Sequence, residues 1–268
     1  MEISSKNNEN VKYIKKVLSS SKTRKKDEVF AIEGINLCEE AFKNKIEIIK
    51  IFYTLKCYEK FRTLIDRITM ETNAKVYVVA NEIMSNMCDT DSPQGILALC
   101  KSIDKKVKED KIDLYSKIVL LENIQNPSNL GSVLRSVSAF GIDLVVLSGA
   151  SCDIYNPKVL RGSMGAVFRV NILCVENTVN FITHLKKEKF MTFASVLDKN
   201  VEDVTLLNDF QKIAIVMGNE GNGITKEVIQ VCDRKISIPM KANCESLNVS
   251  VATGIILWEM TRNERKIR

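Results

Sequence analysis

The chain has 268 residues, 45% hydrophobic and 27% charged, with a formal net charge of +6. That length allows one large domain or two smaller ones with ample core, and the balance is that of a soluble globular protein rather than a disordered or fibrous one. The longest apolar runs, such as Ile118 to Leu121 and Leu144 to Leu147, are far too short to span a bilayer, and the opening MEISSKNNEN lacks the apolar core of a secretion signal.

The first feature in chain order is a basic helix. From Val11 to Lys26 the sequence carries Lys12, Lys15, Lys16, Lys22, Arg24, Lys25 and Lys26 and no acidic residue. Such a run is either a solvated face or a phosphate-binding patch, since clustered cations release counterions from nucleic acid. Val29–Ile32 reads as a strand, Gly34–Lys43 as a helix, Ile48–Tyr53 as a strand, Tyr58–Thr72 as a helix and Val76–Val79 as a strand. Pro93-Gln94-Gly95 turns into the strand Ile96–Cys100. Strands alternating with helices predict a small α/β domain. A charged stretch from Lys101 to Asp113, poor in apolar residues, reads as a linker or exposed helix.

The second block alternates more regularly. Strand Ile118–Leu121 leads through a loop at Asn123–Ser128 into a helix with Leu130, Leu134, Val137 and Phe140 on one face, which Gly141 stops. Strand Leu144–Leu147 and a helix at Pro157–Arg161 follow. Phe168–Cys174 and Met191–Leu197 read as strands flanking the helix Thr178–Lys187. Ile213–Met217 is a strand running into a glycine loop, then helix Lys226–Cys232 and strand Ile236–Ile238. The last helix, Leu247–Arg262, is apolar on almost every side and is expected to be buried, in a core or a subunit interface.

The eight cysteines form no CxxC pair, which argues against a zinc or redox motif, and Cys100 and Cys174 lie in apolar strand-like runs where a thiol acts as a small hydrophobe. A reducing cytoplasm follows, and with it the Asn248-Val-Ser250 sequon is accidental. The single histidine, His184, sits on an amphipathic surface helix and reads as structural or solvated, so the chemistry must manage without a histidine base.

Three loops stand out. In Asn126-Pro-Ser-Asn-Leu-Gly-Ser-Val-Leu-Arg135, Ser128 or Asn129 can cap the helix, Gly131 clears space near its start, and Arg135 lies at the edge of the apolar stripe. Met217-Gly-Asn-Glu-Gly-Asn-Gly223 has GxxGxG spacing with Glu220 inside it. This is not the GxGxxG of a dinucleotide site, and a carboxylate there would repel a pyrophosphate. It can expose backbone to a cofactor that is neutral or cationic at its reacting end. In Ile238-Pro-Met-Lys-Ala-Asn-Cys-Glu-Ser-Leu-Asn-Val-Ser250, Ser246 is the expected N-cap. Met240 and Leu247 can wall an apolar slot, and capping leaves Asn248 unexplained.

These three loops, in this order, resemble the three motifs of the SpoU/TrmH-type RNA 2'-O-ribose methyltransferases of the SPOUT superfamily, over roughly Lys117 to Met260. The first block resembles the family's substrate-binding domain, related to ribosomal protein L30e, at Phe30-Ala-Ile-Glu-Gly34 with Glu40-Ala41 and at Ser92-Pro-Gln-Gly-Ile96. Asn243 stands where glycine is common and Ser136 where threonine is common.

The resemblance implies an α/β fold: an L30e-like RNA-binding domain at 1–103 with the basic helix, a charged linker at 104–113, and at 114–268 a methyltransferase domain with a mostly parallel sheet and a deep trefoil knot. It implies a cytoplasmic homodimer that uses S-adenosylmethionine, needs no metal and no membrane, and acts on RNA, most simply 23S ribosomal RNA. Transfer RNA and a catalytically inactive ribosome-assembly factor are the alternatives, and the glycine spacing disfavours an oxidoreductase. Catalytic or substrate-positioning roles fall to Asn129, Arg135, Glu220, Ser246 and Asn248. Gly218, Ile238, Met240 and Leu247 would hold the cofactor, and Lys22, Arg24, Lys25, Lys26 and Arg161 the RNA. An arginine guanidinium holds its proton, so the expected part of Arg135 is to stabilise the forming 2'-oxyanion rather than to act as a base.

Overall fold

The structure, a computed structural model, describes residues 1–103, 107, 109–198, 201–241 and 246–264. Part of the expected linker and residues 242–245 of the third loop, Asn243 among them, lie outside these. The chain divides into two compact units, Met1–Asp104 with Asp153–Arg169, and Lys105–Cys152 with Val170–Arg268.

The first unit opens with β1 (Glu2–Ile3), α1 (Glu9–Ser19) and α2 (Ser21–Asp27). The basic run expected as one helix is therefore two. Ser20 adopts extended backbone (φ −122°, ψ 109°), ends α1, and caps α2 by accepting from the Thr23 amide. Next come β2 (Val29–Glu33), α3 (Ile35–Lys43), β3 (Ile48–Tyr53), α4 (Leu55–Glu71), β4 (Lys75–Val79), α5 (Asn81–Met87) and β5 (Ile96–Lys101). The strands form one mixed sheet in the order β1-β4-β3-β5-β2, with β5 antiparallel to both neighbours. α1 contributes Val11, Ile14 and Val17 to the core on one face of this sheet, where Phe52 and Tyr77 stack with centroids 5.0 Å apart. β1 and α5 are too short to show a period, so the sequence pattern does not announce them.

The second unit holds β6 (Lys117–Glu122), α6 (Pro127–Phe140) and β7 (Leu144–Ser148). The chain then forms α7 (Pro157–Ser163), which belongs to the first unit, before β8 (Ile172–Val175), α8 (Thr178–Lys187), β9 (Met191–Ser195), β10 (Glu202–Asp203), β11 (Ile213–Met217), α9 (Lys226–Val231), β12 (Arg234–Ser237) and α10 (Val249–Thr261). The seven strands pair in parallel, in the order β10-β12-β9-β11-β6-β7-β8. All residues of β6, β7 and β11 are buried, as the unbroken apolar runs of a parallel sheet covered on both faces require.

Two expectations fail here. Phe168–Cys174 is not one strand. Ala166–Phe168 is a buried 3₁₀ turn after Gly165, and β8 begins only at Ile172. Cys174 is exposed rather than a core thiol, whereas Cys100 is fully buried.

Residues 153–169 are built into the first unit by specific contacts. Tyr155 stacks on Phe30 at 4.5 Å, and its hydroxyl accepts from the Ile103 amide and donates to the Ile103 carbonyl. Asp153 pairs with Arg24 at 2.7 Å, Arg161 with Asp89 at 2.8 Å, and Arg169 with Glu40.

Candidate active site

In the second unit Leu121 of β6 lies in register with Met217 of β11. The first and second loops therefore leave the sheet side by side, at the carboxyl ends of parallel strands where such sheets place their ligands.

In the first loop Asn123 takes a left-handed backbone (φ 57°) and accepts from the Ala150 amide at 2.8 Å. Gly149 takes φ 60°, and a Cβ there would stand 2.1 Å from Asn123 Oδ1, so this bend favours a glycine. The cap of α6 is Asn126, not Ser128 or Asn129. Its Oδ1 accepts from the Ser128 amide at 2.9 Å and the Asn129 amide at 3.4 Å, with Pro127 in the first turn. This leaves the Asn129 side chain for other partners.

The second loop is a tight hairpin. Asn219 and Gly223 exchange backbone hydrogen bonds of 3.0 Å, and Asn219 Oδ1 accepts from the Gly221 and Asn222 amides. A Cβ on Gly218 would lie 2.2 Å from the Gly223 carbonyl carbon, so the hairpin closes only on a glycine. Asn219 Nδ2 donates to the Asn123 carbonyl at 2.7 Å, which ties the second loop to the first. Buried Glu122 accepts from the Thr225 amide and hydroxyl at 3.0 and 2.9 Å, fixing the start of α9.

The third loop ends on Asn248, and Asn248, not Ser246, is the N-cap of α10. Its Oδ1 accepts from the Ser250 amide at 2.9 Å and hydroxyl at 2.6 Å. The other end of the Asn248 amide donates to Asn129 Oδ1 at 3.0 Å, and Asn129 Nδ2 donates to Glu220 Oε1 at 3.0 Å. One chain of hydrogen bonds, Asn248–Asn129–Glu220, thus joins all three loops. Glu220 also accepts from the Asn126 amide at 3.2 Å and, more weakly, the Gln125 amide at 3.5 Å. Burial pushes its carboxyl up, but the bonds from Asn129 and these backbone groups outweigh that and hold it below the usual carboxylate range. Glu220 is therefore a fixed negative charge at neutral pH.

The other sequence-selected residues are less closely gathered. Arg135 is exposed on α6, and makes no hydrogen bond or ion pair among the described residues. Ser246 is exposed two residues before Asn248, and Gly218, Ile238, Met240 and Leu247 are half-buried. In the first unit Lys22, Lys25 and Lys26 are exposed. Arg24 is not: it is 4% exposed, its Nε pairs with Asp153, and its Nη1 donates to the Val17 and Leu18 carbonyls. Its role is structural. Arg161 is partly covered and held by Asp89. Sequence reasoning missed Asn123, Asn126, Asn219 and Glu122. The density of asparagine at loop bends was the available signal, since asparagine tolerates left-handed backbone and caps helices.

Comparison with known proteins agrees with this geometry. Residues 116–258 match the SpoU rRNA Methylase family, and residues 8–98 match the MRM3-like substrate binding domain. The chain is 30% identical to the 23S rRNA (guanosine(2553)-2'-O)-methyltransferase RlmP of Bacillus subtilis over 259 residues, 97% of this chain and 98% of the relative. It is 31% identical to an uncharacterized tRNA/rRNA methyltransferase of Synechocystis, covering 92% of this chain and 89% of that one. An AdoMet-bound rRNA methyltransferase from Sinorhizobium meliloti superposes with a TM-score of 0.87 at 25% identity, over 99% of both chains. With the family match spanning more than half its length and a relative 30% identical over nearly the whole chain, the chain belongs to the SpoU rRNA Methylase family.

Proposed function

We propose that the protein transfers a methyl group from S-adenosylmethionine to a ribose 2'-hydroxyl of 23S ribosomal RNA. The observation that carries this reading is the Asn248–Asn129–Glu220 bridge, which makes one site of three loops that are far apart in sequence. The named Bacillus relative, aligned over nearly the whole chain, supports the choice of RNA.

The donor set fits the cofactor. Gly218 and Ile238 directly follow β11 and β12, and with Met240 and Leu247 they offer half-buried apolar side chains and backbone groups, suited to a neutral adenosine. Glu220, charged and held in the adjoining hairpin, suits a sulfonium and would repel a pyrophosphate. When bound, S-adenosylmethionine supplies the electrophilic methyl. Arg135 grips the RNA backbone and stabilises the 2'-oxygen as negative charge develops there, while Asn129, Ser246 and Asn248 orient the ribose and shape the site. The 2'-OH proton leaves to water or a neighbouring phosphate. Alignment of the reacting atoms is the larger contribution, since near-attack positioning can be worth about 7–11 kcal/mol.

The first unit selects the RNA through Lys22, Lys25 and Lys26 on α2, with Arg161 contributing from α7. The second domain carries the trefoil knot expected of its family and forms a cytoplasmic homodimer through α10, whose Val251 and Trp258 are 51% and 47% exposed on an otherwise apolar helix. Among the described residues no helix is long and apolar enough to cross a membrane.

The test is methyl transfer from labelled S-adenosylmethionine to total RNA of a strain lacking the protein. The expected result is a 2'-O-methyl nucleotide in large-subunit RNA, with Arg135→Ala slower by about 10²–10³ in single-turnover rate. Label confined to transfer RNA would change the substrate. No transfer and no cofactor binding would refute the proposal.

A further inference from the structure

The glycine hairpin of the second loop is tied down on both sides by two consecutive residues, Glu122 and Asn123, where β6 ends. On the outgoing side Asn219 Nδ2 donates to the Asn123 carbonyl at 2.7 Å. On the returning side Thr225 donates twice to Glu122, its amide to Oε2 at 3.0 Å and its hydroxyl to Oε1 at 2.9 Å. Each carboxylate oxygen takes one donor, and two such bonds side by side fix orientation as well as distance.

The start of α9 gives up a cap to make this clamp. Thr225 is the N-cap residue (φ −64°, ψ 151°), where a threonine oxygen usually accepts from an amide of the first turn. No side-chain cap bond forms, and the hydroxyl is turned to Glu122 instead. Glu122 is as unusual on its own side. It is 4% exposed, has no ion pair among the described residues, and its hydrogen bonds there go to Thr225 alone. Ser148, its register neighbour on β7, keeps a buried hydroxyl without a hydrogen bond. The preceding residues of this sheet face, Ile118 and Leu120, are core, packed with Phe181 of α8 and Val228 of α9. An apolar side chain would fill the end of that row without the cost of burying a charge. The carboxylate is explained by what it holds.

What it holds is the register of the hairpin. A Cβ on Gly218 would lie 2.4 Å from the Ile224 amide nitrogen, so the outgoing and returning strands touch there. A shift of the returning strand at Ile224 and Thr225 therefore moves Gly218 directly, and Glu220 lies on the hairpin between them. We propose that Glu122 is a positioning residue for cofactor binding. Through Thr225 it holds the returning strand in the register that presents the Gly218 backbone and the Glu220 carboxylate to S-adenosylmethionine. This rests on the methyltransferase reading above and adds to it a residue outside the three loops that sets cofactor affinity.

The test uses the full chain. S-adenosylmethionine affinity is measured by calorimetry, methyl transfer to large-subunit ribosomal RNA is followed with the cofactor varied, and stability is read from urea unfolding. Thr225→Val removes the hydroxyl and, since that hydroxyl makes no cap bond, leaves α9 no less capped. It should weaken cofactor binding about tenfold, the usual scale for one hydrogen bond to a charged group. It should also raise KM for the cofactor more than it lowers kcat, as the loss of a binding rather than a reacting group does. Thr225→Ser, which restores the hydroxyl, should recover most of the affinity. Glu122→Leu with Thr225→Val replaces both side chains by apolar ones of similar shape, a change that can leave stability nearly untouched. It should bind the cofactor at least as weakly as Thr225→Val. Wild-type cofactor affinity in Thr225→Val or in the double variant would overturn the proposal and leave the methyltransferase reading intact. So would an equal loss in Thr225→Ser and Thr225→Val. A wild-type chain that neither binds S-adenosylmethionine nor methylates RNA would overturn both.

Discussion

Asn129→Asp tests the bridge by changing one atom. In the wild type Asn129 Nδ2 donates to Glu220 Oε1 at 3.0 Å, and Asn129 Oδ1 accepts from Asn248. The substitution keeps the shape and the acceptor but puts a carboxylate oxygen where the donor stood. Two unit charges at that separation repel by about 1.4 kcal/mol in water and about 5.5 kcal/mol at an effective dielectric constant near 20. Asn129 is buried and Glu220 exposed, so an intermediate loss of about 3 kcal/mol is expected at pH 7.5. The sign of the pH response is distinctive. The new carboxylate and Glu220 titrate as a pair above the ordinary carboxylate range. The lost stability therefore returns as pH falls toward 5 and one shared proton rebuilds the bridge. The wild-type Glu220 behaves oppositely. Its carboxyl is held low in the folded state, so its contribution is present above the unfolded pKa and is lost only as pH falls through the lower folded one. Between pH 7.5 and 5 the wild type should be nearly flat and the variant should recover. The chain's single tryptophan, Trp258, lies on α10, the helix that Asn248 caps, so its fluorescence during urea unfolding reports the second unit directly. A variant as stable as the wild type at pH 7.5, or one whose deficit does not shrink by pH 5, would show that the bridge carries no energy.

Gly218→Ala should cost about 1–3 kcal/mol of stability in the same assay and abolish cofactor binding, because the new methyl meets backbone atoms of Gly223 and Ile224 that cannot swing away. Arg24→Leu should destabilise the first unit by about 3–5 kcal/mol, because it strands Asp153 and leaves the Val17 and Leu18 carbonyls without this donor. Lys25→Ala with Lys26→Ala should leave the thermal midpoint within a degree or two and weaken RNA binding in a salt-dependent way. On the proposed homodimer, Trp258→Arg should move the mass in light scattering from dimer to monomer, since it places a charge on the exposed apolar face of α10.

The strands of the second unit were legible because a parallel sheet covered on both faces needs unbroken apolar runs, and β6, β7 and β11 are such runs. Burial without an element misled the same reasoning at Phe168, which closes a buried turn instead of opening a strand. A hydrophobic run reports that a segment is covered, not what shape it takes. Charge was misread for a related reason. The cations between Lys12 and Lys26 look alike in a sequence, yet Arg24 is the buried one, held in an ion pair with Asp153. Nothing local marks a residue whose partner is 129 positions away. The capping errors were smaller: Ser128 and Ser246 are good caps, but Asn126 and Asn248 occupy the positions where the backbone bends.

The bridge itself could not be derived from pattern, and strand order explains why. Asn129 and Glu220 are 91 residues apart, and the chain lays down β7, β8, β9 and β10 between their strands. Only the reversal that inserts β11 beside β6 brings the two loops to one edge, in the register that pairs Met217 with Leu121. Asn248 joins them because α10 packs against α6 and starts on that side. The three residue types are each ordinary where they stand: an asparagine early in a helix, a glutamate in a hairpin, an asparagine cap. Their chemistry arises from complementarity among them. A carboxamide has one donor end and one acceptor end, so Asn129 can accept from Asn248 while donating to Glu220, and no shorter or singly polar side chain at that position could do both. The bridge therefore fixes the relative positions of all three loops with one buried amide. A substitution that removes either end of that amide should loosen the loops together rather than one at a time.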